Sequence, residues 1–220
     1  MPRILFEKKG NAVWISHLDL MRLFQRAFKR AGLNLTHTQG FNPRPSVSIA
    51  LPLSVGVESS CELLDFDLDG EKIANRIVRG KLNDYLLPGI RVIKVYDNGQ
   101  KIKNLALLDA EVILEYDKGI PEGAVAKLDE FFRREEILVE KKTKSNGIQD
   151  QNIVPMIKAL EVVQTDDNTI QLKARVCCQN PTLNPMQLHG AVVRHLPELA
   201  PNFAKCERVE LYDIDGNIFR

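Results

Sequence analysis

Residues 16–32, SHLDLMRLFQRAFKRAG, are the stretch of sequence that decides the first half of the fold. Ser16 and Asp19 have the spacing of a capping box in its acidic form, which marks the start of a helix. Apolar side chains then recur at steps of three and four residues: Leu20, Leu23, Phe24, Ala27, Phe28 and Ala31. This period, which stops at Gly32, predicts an amphipathic helix over residues 17–31.

Strand patterns lie on both sides of this helix. RILFEK at residues 3–8 predicts a strand, followed by a turn at Gly10-Asn11 and a second, short extended piece. The later elements of this half are strands within 46–56 and over 61–68, a helix over 71–86 and a strand over 90–96. The order β-α-β-β-α-β is the split βαβ pattern of ferredoxin-like folds.

A common core follows from this topology, because both helices should cover one face of the same sheet. The strand at 61–68 alternates apolar residues with Asp65, Asp67 and Asp69, which predicts one buried and one wet face. The side chains expected to be buried together are Leu23, Phe24, Phe28, Leu64, Phe66, Ile73, Ile77 and Val92.

The pattern restarts after residues 98–109, NGQKIKNLALLD, which we interpret as a joint. Its elements are a strand at 110–117, a helix at 121–136, a strand at 137–143, a loop at 144–152, an extended edge at 153–164, a strand at 169–178, a helix opened by Asn184-Pro185 and a strand at 206–215. The sequence therefore predicts an α+β protein of two tandem ferredoxin-like halves with antiparallel sheets, residues 1–97 and 110–220.

Composition excludes several classes of protein. No stretch approaches the ~20 consecutive apolar residues of a membrane-spanning helix. The N-terminal residues MPRILFEKKG lack the pattern of a signal peptide, so we expect a cytoplasmic protein. The four cysteines, Cys61, Cys177, Cys178 and Cys206, lack the spacing of metal ligands and are expected to be buried apolar side chains. We expect no metal and no cofactor.

Charge is distributed unevenly, although the net charge is only +1. Residues 1–46 hold eight cations and two acids, a net +6, whereas residues 47–70 hold five acids and no cation. The helix face opposite the apolar one carries four cations: Arg22, Arg26, Lys29 and Arg30. No acid follows Asp19 within the helix, whereas a solvated face usually mixes both signs. This basic stripe predicts an anion site; an ordinary solvated helix face is the alternative.

The loop that follows the helix, THTQGFNPRPSVSIALPLSVG at residues 36–56, places Arg44 between two prolines. Proline biases the residue before it to extended geometry, so Asn42 and Arg44 are held on a stiff loop. Arginine is a forked donor suited to phosphate, although the loop could also simply join two strands. Phe41 and Trp14 could stack on RNA bases or pack under the loop and against the sheet. The predicted nucleic-acid-binding residues are Arg22, Arg26, Lys29, Arg30, Phe41, Asn42 and Arg44.

Residues 15–59 resemble the radical SAM-linked protein family, a domain found beside or fused to radical S-adenosylmethionine proteins in bacteria. The strings SHLDLMR and QGFNPRP carry the resemblance, and LLDFDL, LPGIRVIKV and, more weakly, VPMIKALEV extend it along the chain. The resemblance implies a radical SAM enzyme as partner. The chain itself has no CxxxCxxC string, so it is not a radical SAM enzyme of the usual kind.

These observations together predict an accessory protein that acts with a radical SAM enzyme and binds or presents an RNA or ribosomal substrate. One alternative is a metal-independent endoribonuclease using His17, since paired ferredoxin-like domains with an early histidine and a basic first helix resemble the CRISPR repeat-processing endoribonucleases. A second is a protein–protein adaptor whose basic stripe meets an acidic patch on the enzyme, without binding nucleic acid.

Overall fold

The computed structural model describes residues 1–142 and 147–220. The chain divides into two compact units, Met1–Asn104 together with Arg220, and Leu105–Phe219. The joint predicted over 98–109 therefore ends earlier than expected, because Leu105 and Leu108 are buried in the first strand of the second unit. In the described ranges, no helix has the length and apolar character needed to cross a membrane.

The first unit contains its elements in the order β-α-β-β-α-β. They are β1 (Arg3–Lys8), α1 (His17–Arg30), β2 (Val47–Ala50), β3 (Val57–Phe66), α2 (Asn75–Asn83) and β4 (Ile90–Tyr96). Strand β1 lies between β4 and β3, β2 pairs with β3, and all three pairs are antiparallel. Leu5 of β1 is opposite Leu63 of β3 on one side and Lys94 of β4 on the other.

The core of this unit is built from aromatic pairs that join the first helix to the sheet. Phe24 packs edge-on against Phe6 at a ring distance of 4.8 Å, and Phe28 contacts Phe66 at 5.1 Å. The predicted core residues found in the cluster are Phe24, Phe28, Leu64, Phe66 and Val92. Leu23 and Ile73 are partly buried against it. Most of the predicted core is thus confirmed.

Helix α2 is shorter than the predicted 71–86, and this changes which of its residues are buried. It begins at Asn75, after an extended Ala74. Val78 and Leu82, one turn apart, enter the core. Ile77 is 43% exposed, because one residue on a helix is a rotation of about 100°. The prediction that Ile77 is buried is therefore wrong.

The prediction of a short extended piece after Gly10-Asn11 is also wrong, because Gly10–Trp14 form a 3-10 helix. This turn supplies the Val13 carbonyl that accepts a hydrogen bond from the buried Lys8 ammonium at 3.1 Å. Burial lowers the pKa of Lys8, and the nearby Glu62 carboxylate opposes that shift.

The second unit is again mixed α and β. Its elements are β5 (Leu105–Glu115), α3 (Ala124–Phe132), β6 (Leu138–Lys142), β7 (Ile148–Asn152), β8 (Ile157–Gln164), β9 (Thr169–Cys177), α4 (Met186–His195) and β10 (Phe203–Asp213). Its main sheet has the strand order β10-β5-β9-β8, with antiparallel neighbours. Strands β6 and β7 pair separately. The predicted loop over 144–152 contains β7; residues 143–146 lie outside the described part.

Two local predictions are confirmed, the start of a helix at Asn184-Pro185 and the burial of the cysteines. Asn184 Oδ1 accepts a hydrogen bond from the Met186 N–H, while Gln187 Oε1 accepts one from the Asn184 N–H, a reciprocal cap at the start of α4. All four cysteines are buried. Burial raises the pKa of the Cys178 and Cys206 thiols to about 12, so neither is a reactive thiolate at neutral pH.

Candidate nucleic-acid interface

The start of α1 is fixed by the predicted capping box. The Ser16 hydroxyl accepts a hydrogen bond from the Asp19 N–H at 3.2 Å and donates one to Asp19 Oδ2 at 2.8 Å. Asp19 Oδ1 also accepts a hydrogen bond from Arg22 at 2.9 Å. The Ser16 hydroxyl and then Arg22 hold the pKa of Asp19 below its usual value. The cap therefore orients the first cation of the basic stripe.

The basic stripe of Arg22, Arg26, Lys29 and Arg30 is exposed along α1. It is exposed because the opposite face, including Leu20, Phe24 and Phe28, is buried in the core. Arg22 forms the ion pair with Asp19. The other three cations make no ion pair with the residues that the structure describes. Their charge is available to an anion.

The proline loop is a hairpin rather than an irregular connection. Thr38 and Ser46 donate backbone hydrogen bonds to the carbonyls of Arg44 and Thr36, both at 2.8 Å. The base of the hairpin is tied to the end of β3, because the Thr36 N–H donates to the Asp67 carbonyl at 3.0 Å. Proline biases the residue before it to an extended backbone, which is also the backbone of a strand, so the prolines favour this hairpin.

A cavity of about 590 Å³ lies between the basic stripe and this hairpin. Its lining residues are Arg22, Gln25, Arg26, Lys29, Leu33, Asn34, Leu35, His37, Pro45 and Asp69. The structure therefore brings three of the predicted binding residues together at one concave site. Arg30, Phe41, Asn42 and Arg44 are exposed but do not line the cavity.

Arg44 lies away from the cavity because of the hairpin register. His37 is paired with Pro45, and both line the cavity. Successive side chains of an extended strand point to opposite sides, so Arg44 occupies the other face of the hairpin. Its backbone N–H donates to the Thr38 hydroxyl at 3.0 Å. Any contact between Arg44 and RNA would involve a part of the ligand outside this cavity.

Sequence analysis missed Asn34, His37 and Asp69 as residues of this site. The sequence feature that could have indicated His37 is its spacing of two residues from Leu35. In an extended arm this spacing places both side chains on the same face of the hairpin as Pro45, which pairs with His37. The alternation along the strand places Asp69 with Asp65 and Asp67 on the predicted wet face. Its proximity to the stripe depends on a tertiary contact, in which its N–H donates to the Asn34 carbonyl at 2.9 Å.

Two aromatic side chains on this unit are exposed. Phe41, near the tip of the hairpin, is fully exposed at 108%, and Trp14 is 69% exposed. The Trp14 ring lies over Gly56, where an added Cβ would be 3.6 Å from Cζ3. The alternative that Phe41 packs under the loop is therefore wrong. An unburied aromatic at a hairpin tip is available for a ligand.

The acidic segment 58–69 does not neutralise the basic stripe. Asp65 forms an ion pair with Arg3 at 2.6 Å, and Asp67 accepts a hydrogen bond from the Thr36 hydroxyl. Glu58 caps the Gly10 N–H at 2.8 Å, and Glu62 is buried. Within the segment, Asp69 alone lines the cavity, so three cations face one carboxylate there.

His17, the candidate for acid–base catalysis, is the first residue of α1 and is half-buried. It does not line the cavity, whereas His37 does. Among the described residues, no group of three or more histidine, cysteine, aspartate or glutamate side chains is placed to hold a metal ion.

Comparison with known proteins gives a family and a fold. Residues 2–185 match the family described as "Uncharacterized protein conserved in bacteria (DUF2344)". No curated protein matches the chain.

A chain in the crystal structure of a Cbf5-Nop10-Gar1 complex is 9% identical, with a TM-score of 0.52, over 96% of this chain and 48% of that one. A chain of the archaeal box H/ACA sRNP Nop10-Cbf5 complex is 10% identical, with a TM-score of 0.47, over 94% and 46%. The protein spans about half the length of these solved chains, and the first similarity concerns the fold alone.

Proposed function

The chain belongs to the DUF2344 family of proteins conserved in bacteria, and we propose that it is an RNA-binding accessory protein that acts with a radical SAM enzyme. The observation that carries the RNA part of this proposal is the cavity lined by Arg22, Arg26 and Lys29. The partner part rests on the SHLDLMR and QGFNPRP strings that resemble the radical SAM-linked family.

Single-stranded RNA is the polyanion that best fits this surface. Cations spaced along a helix contact successive phosphates without reading sequence. An exposed aromatic ring adds base stacking, which is sequence-tolerant because every base has a π-face. The stripe and Phe41 lie on one unit and supply both kinds of contact.

The proposal includes a fold assignment in which each unit is a ferredoxin-like half. The strand orders support this assignment. In the first unit, β1 lies between β4 and β3, and β2 pairs with β3. In the second unit, β5 lies between β10 and β9, and β8 pairs with β9. In this assignment β6 and β7 are an inserted hairpin of the second half.

Binding of fluorescently labelled single-stranded RNA, measured by anisotropy from 50 to 300 mM salt, tests the proposal. We expect binding that weakens with salt, with a slope of log K against log salt of about −2 or steeper, because each phosphate contact on a single strand contributes about −0.7. Absence of binding at the lowest salt would show that the RNA part is wrong and would favour the adaptor.

Phe41→Ala is expected to weaken RNA binding about 10-fold, because a base stacked on an aromatic side chain contributes about 1–3 kcal/mol. Phe41→Trp keeps the π-face and should retain the affinity, whereas Phe41→Leu keeps only apolar area. The same anisotropy assay distinguishes these variants. Equal affinities for all four proteins would mean that Phe41 does not stack on RNA.

The partner and the two alternative functions are tested by purification of the tagged protein from its host. We expect a protein with a CxxxCxxC string to co-purify, identified by mass spectrometry. If its recovery is unaffected by nuclease but lost at high salt, the adaptor is favoured. Cleavage of RNA in the presence of a chelator, abolished by His17→Ala, would instead establish the endoribonuclease.

A further inference from the structure

The cavity beside α1 is lined by apolar and hydrogen-bonding groups in addition to the cations that would bind phosphate. Leu33 is 1% exposed and, with Leu35 and Pro45, gives the cavity an apolar wall. The amides of Gln25 and Asn34 and the ring of His37 add hydrogen-bonding groups. Its volume of about 590 Å³ lies within the range of about 300–1,000 Å³ usual for small-ligand pockets. An apolar wall with a cationic rim suits a flat heterocycle that carries a phosphate.

Asp69 specifies the ligand further. Asp69 lines the cavity with Arg22, Arg26 and Lys29, yet its carboxylate forms no ion pair or side-chain hydrogen bond with the described residues. Its main-chain N–H donates a hydrogen bond to the Asn34 carbonyl, which holds the backbone of Asp69 beside this wall. A carboxylate repels phosphate and accepts hydrogen bonds only. A ligand must therefore bring donors to this wall and its phosphate to the cationic rim.

Among the four RNA bases, guanine meets this requirement best. Its Watson–Crick edge carries two neighbouring donors, N1–H and the N2 amino group, whose spacing matches the two oxygens of a carboxylate. Adenine, cytosine and uracil each present one donor on that edge. A ribose 2′,3′-diol also offers two donors, so the experiment must separate the base from the sugar.

We propose that this cavity binds one guanosine monophosphate unit, with the base against Leu35 and Pro45, its Watson–Crick edge on Asp69 and its phosphate on Arg26 and Lys29. This inference deepens the proposed function, in which the unit is an unpaired guanosine of the bound RNA. The base must be unpaired, because Asp69 takes the edge that a cytosine partner would use.

Isothermal titration of the intact protein with GMP, IMP, AMP and inorganic phosphate tests the proposal. IMP lacks only the N2 amino group, so we expect GMP to bind about 10-fold more tightly than IMP, since one hydrogen bond to a charged acceptor is lost. AMP should bind at least as weakly as IMP. Equal affinities of GMP and AMP would overturn the proposal, because the diol or the phosphate alone would then account for binding.

Asp69→Asn is the matched variant, since it changes one atom of an exposed side chain and removes one negative charge. We expect the preference for GMP over AMP to fall to about one, while inorganic phosphate binds as well as before or better. A preference that survives this substitution would overturn the role of Asp69.

A parallel titration with poly-uridine, which contains no guanosine, tests RNA binding independently of the guanosine site. It therefore distinguishes failure of this inference from failure of the proposed function. Salt-dependent binding of poly-uridine without selectivity for GMP contradicts the guanosine site and leaves RNA binding intact. Selective GMP binding without any RNA binding supports the site and contradicts the RNA-binding function.

Discussion

Replacement of Arg22, Arg26 and Lys29 together by alanine is expected to lower the affinity for single-stranded RNA about 100-fold at 0.1 M salt. Each phosphate contact on a single strand contributes about 0.7 to the salt slope, which corresponds to about 5-fold in affinity at that salt concentration. The slope itself should become shallower by about 2. Anisotropy titrations at several salt concentrations measure both quantities.

The helix should survive this change, because alanine is the best helix former and exposed ion pairs contribute little. A matched control removes three cations from α2 instead, Arg76, Arg79 and Lys81, all of them exposed. Both variants have the same net charge, so a loss confined to the α1 variant locates the RNA site. Equal losses in the two variants would show that only total charge matters and would reject the cavity as the binding site.

Phe24→Ala is expected to destabilise the protein by about 3–5 kcal/mol, the range for truncating a buried aromatic side chain. Phe24 is fully buried, and its ring packs edge-on against Phe6 at 4.8 Å, so the truncation leaves a cavity between helix and sheet. For a chain of this length the melting temperature should fall by about 6–20 °C. Thermal unfolding followed by circular dichroism measures the change.

Phe41→Ala is the matched control, because it removes the same atoms from a fully exposed side chain. Its melting temperature should change by less than about 2 °C, as for other surface substitutions. Phe24→Leu keeps most of the volume and should lie between the two, which preserves the test if Phe24→Ala does not fold. A Phe24→Ala protein as stable as the parent would contradict the packing of α1 on the sheet.

Local interactions explain why α1 was predictable to within a residue. Its cap joins Ser16 to Asp19, and its apolar face follows a period of three and four residues, so each signal lies within a few positions of the chain. The same holds for Asn184 and Gln187 at α4. The exposure of the basic stripe follows directly, because burial of one helix face leaves the opposite one to solvent.

Weaker local signals gave wrong predictions. Helix α2 starts at Asn75 rather than Glu71, and no side-chain cap marks that position. The side chain that enters the core is Val78 rather than the predicted Ile77. The 3-10 helix at Gly10–Trp14 was not predicted either; it has no side-chain cap, and its Val13 carbonyl accepts the hydrogen bond of the buried Lys8 ammonium.

The sequence by itself determined the α+β class, the first helix with its cationic face and the extended geometry of the proline loop, because these depend on neighbours a few residues apart. Only the tertiary structure decided that Asn34, His37 and Asp69 join Arg22, Arg26 and Lys29 around one cavity, while Arg44 lies on the other face of the hairpin. Asp69 reaches the site through its hydrogen bond to Asn34, 35 positions earlier. Such a contact is set by how the hairpin docks on the end of β3, and no local period in the chain records it.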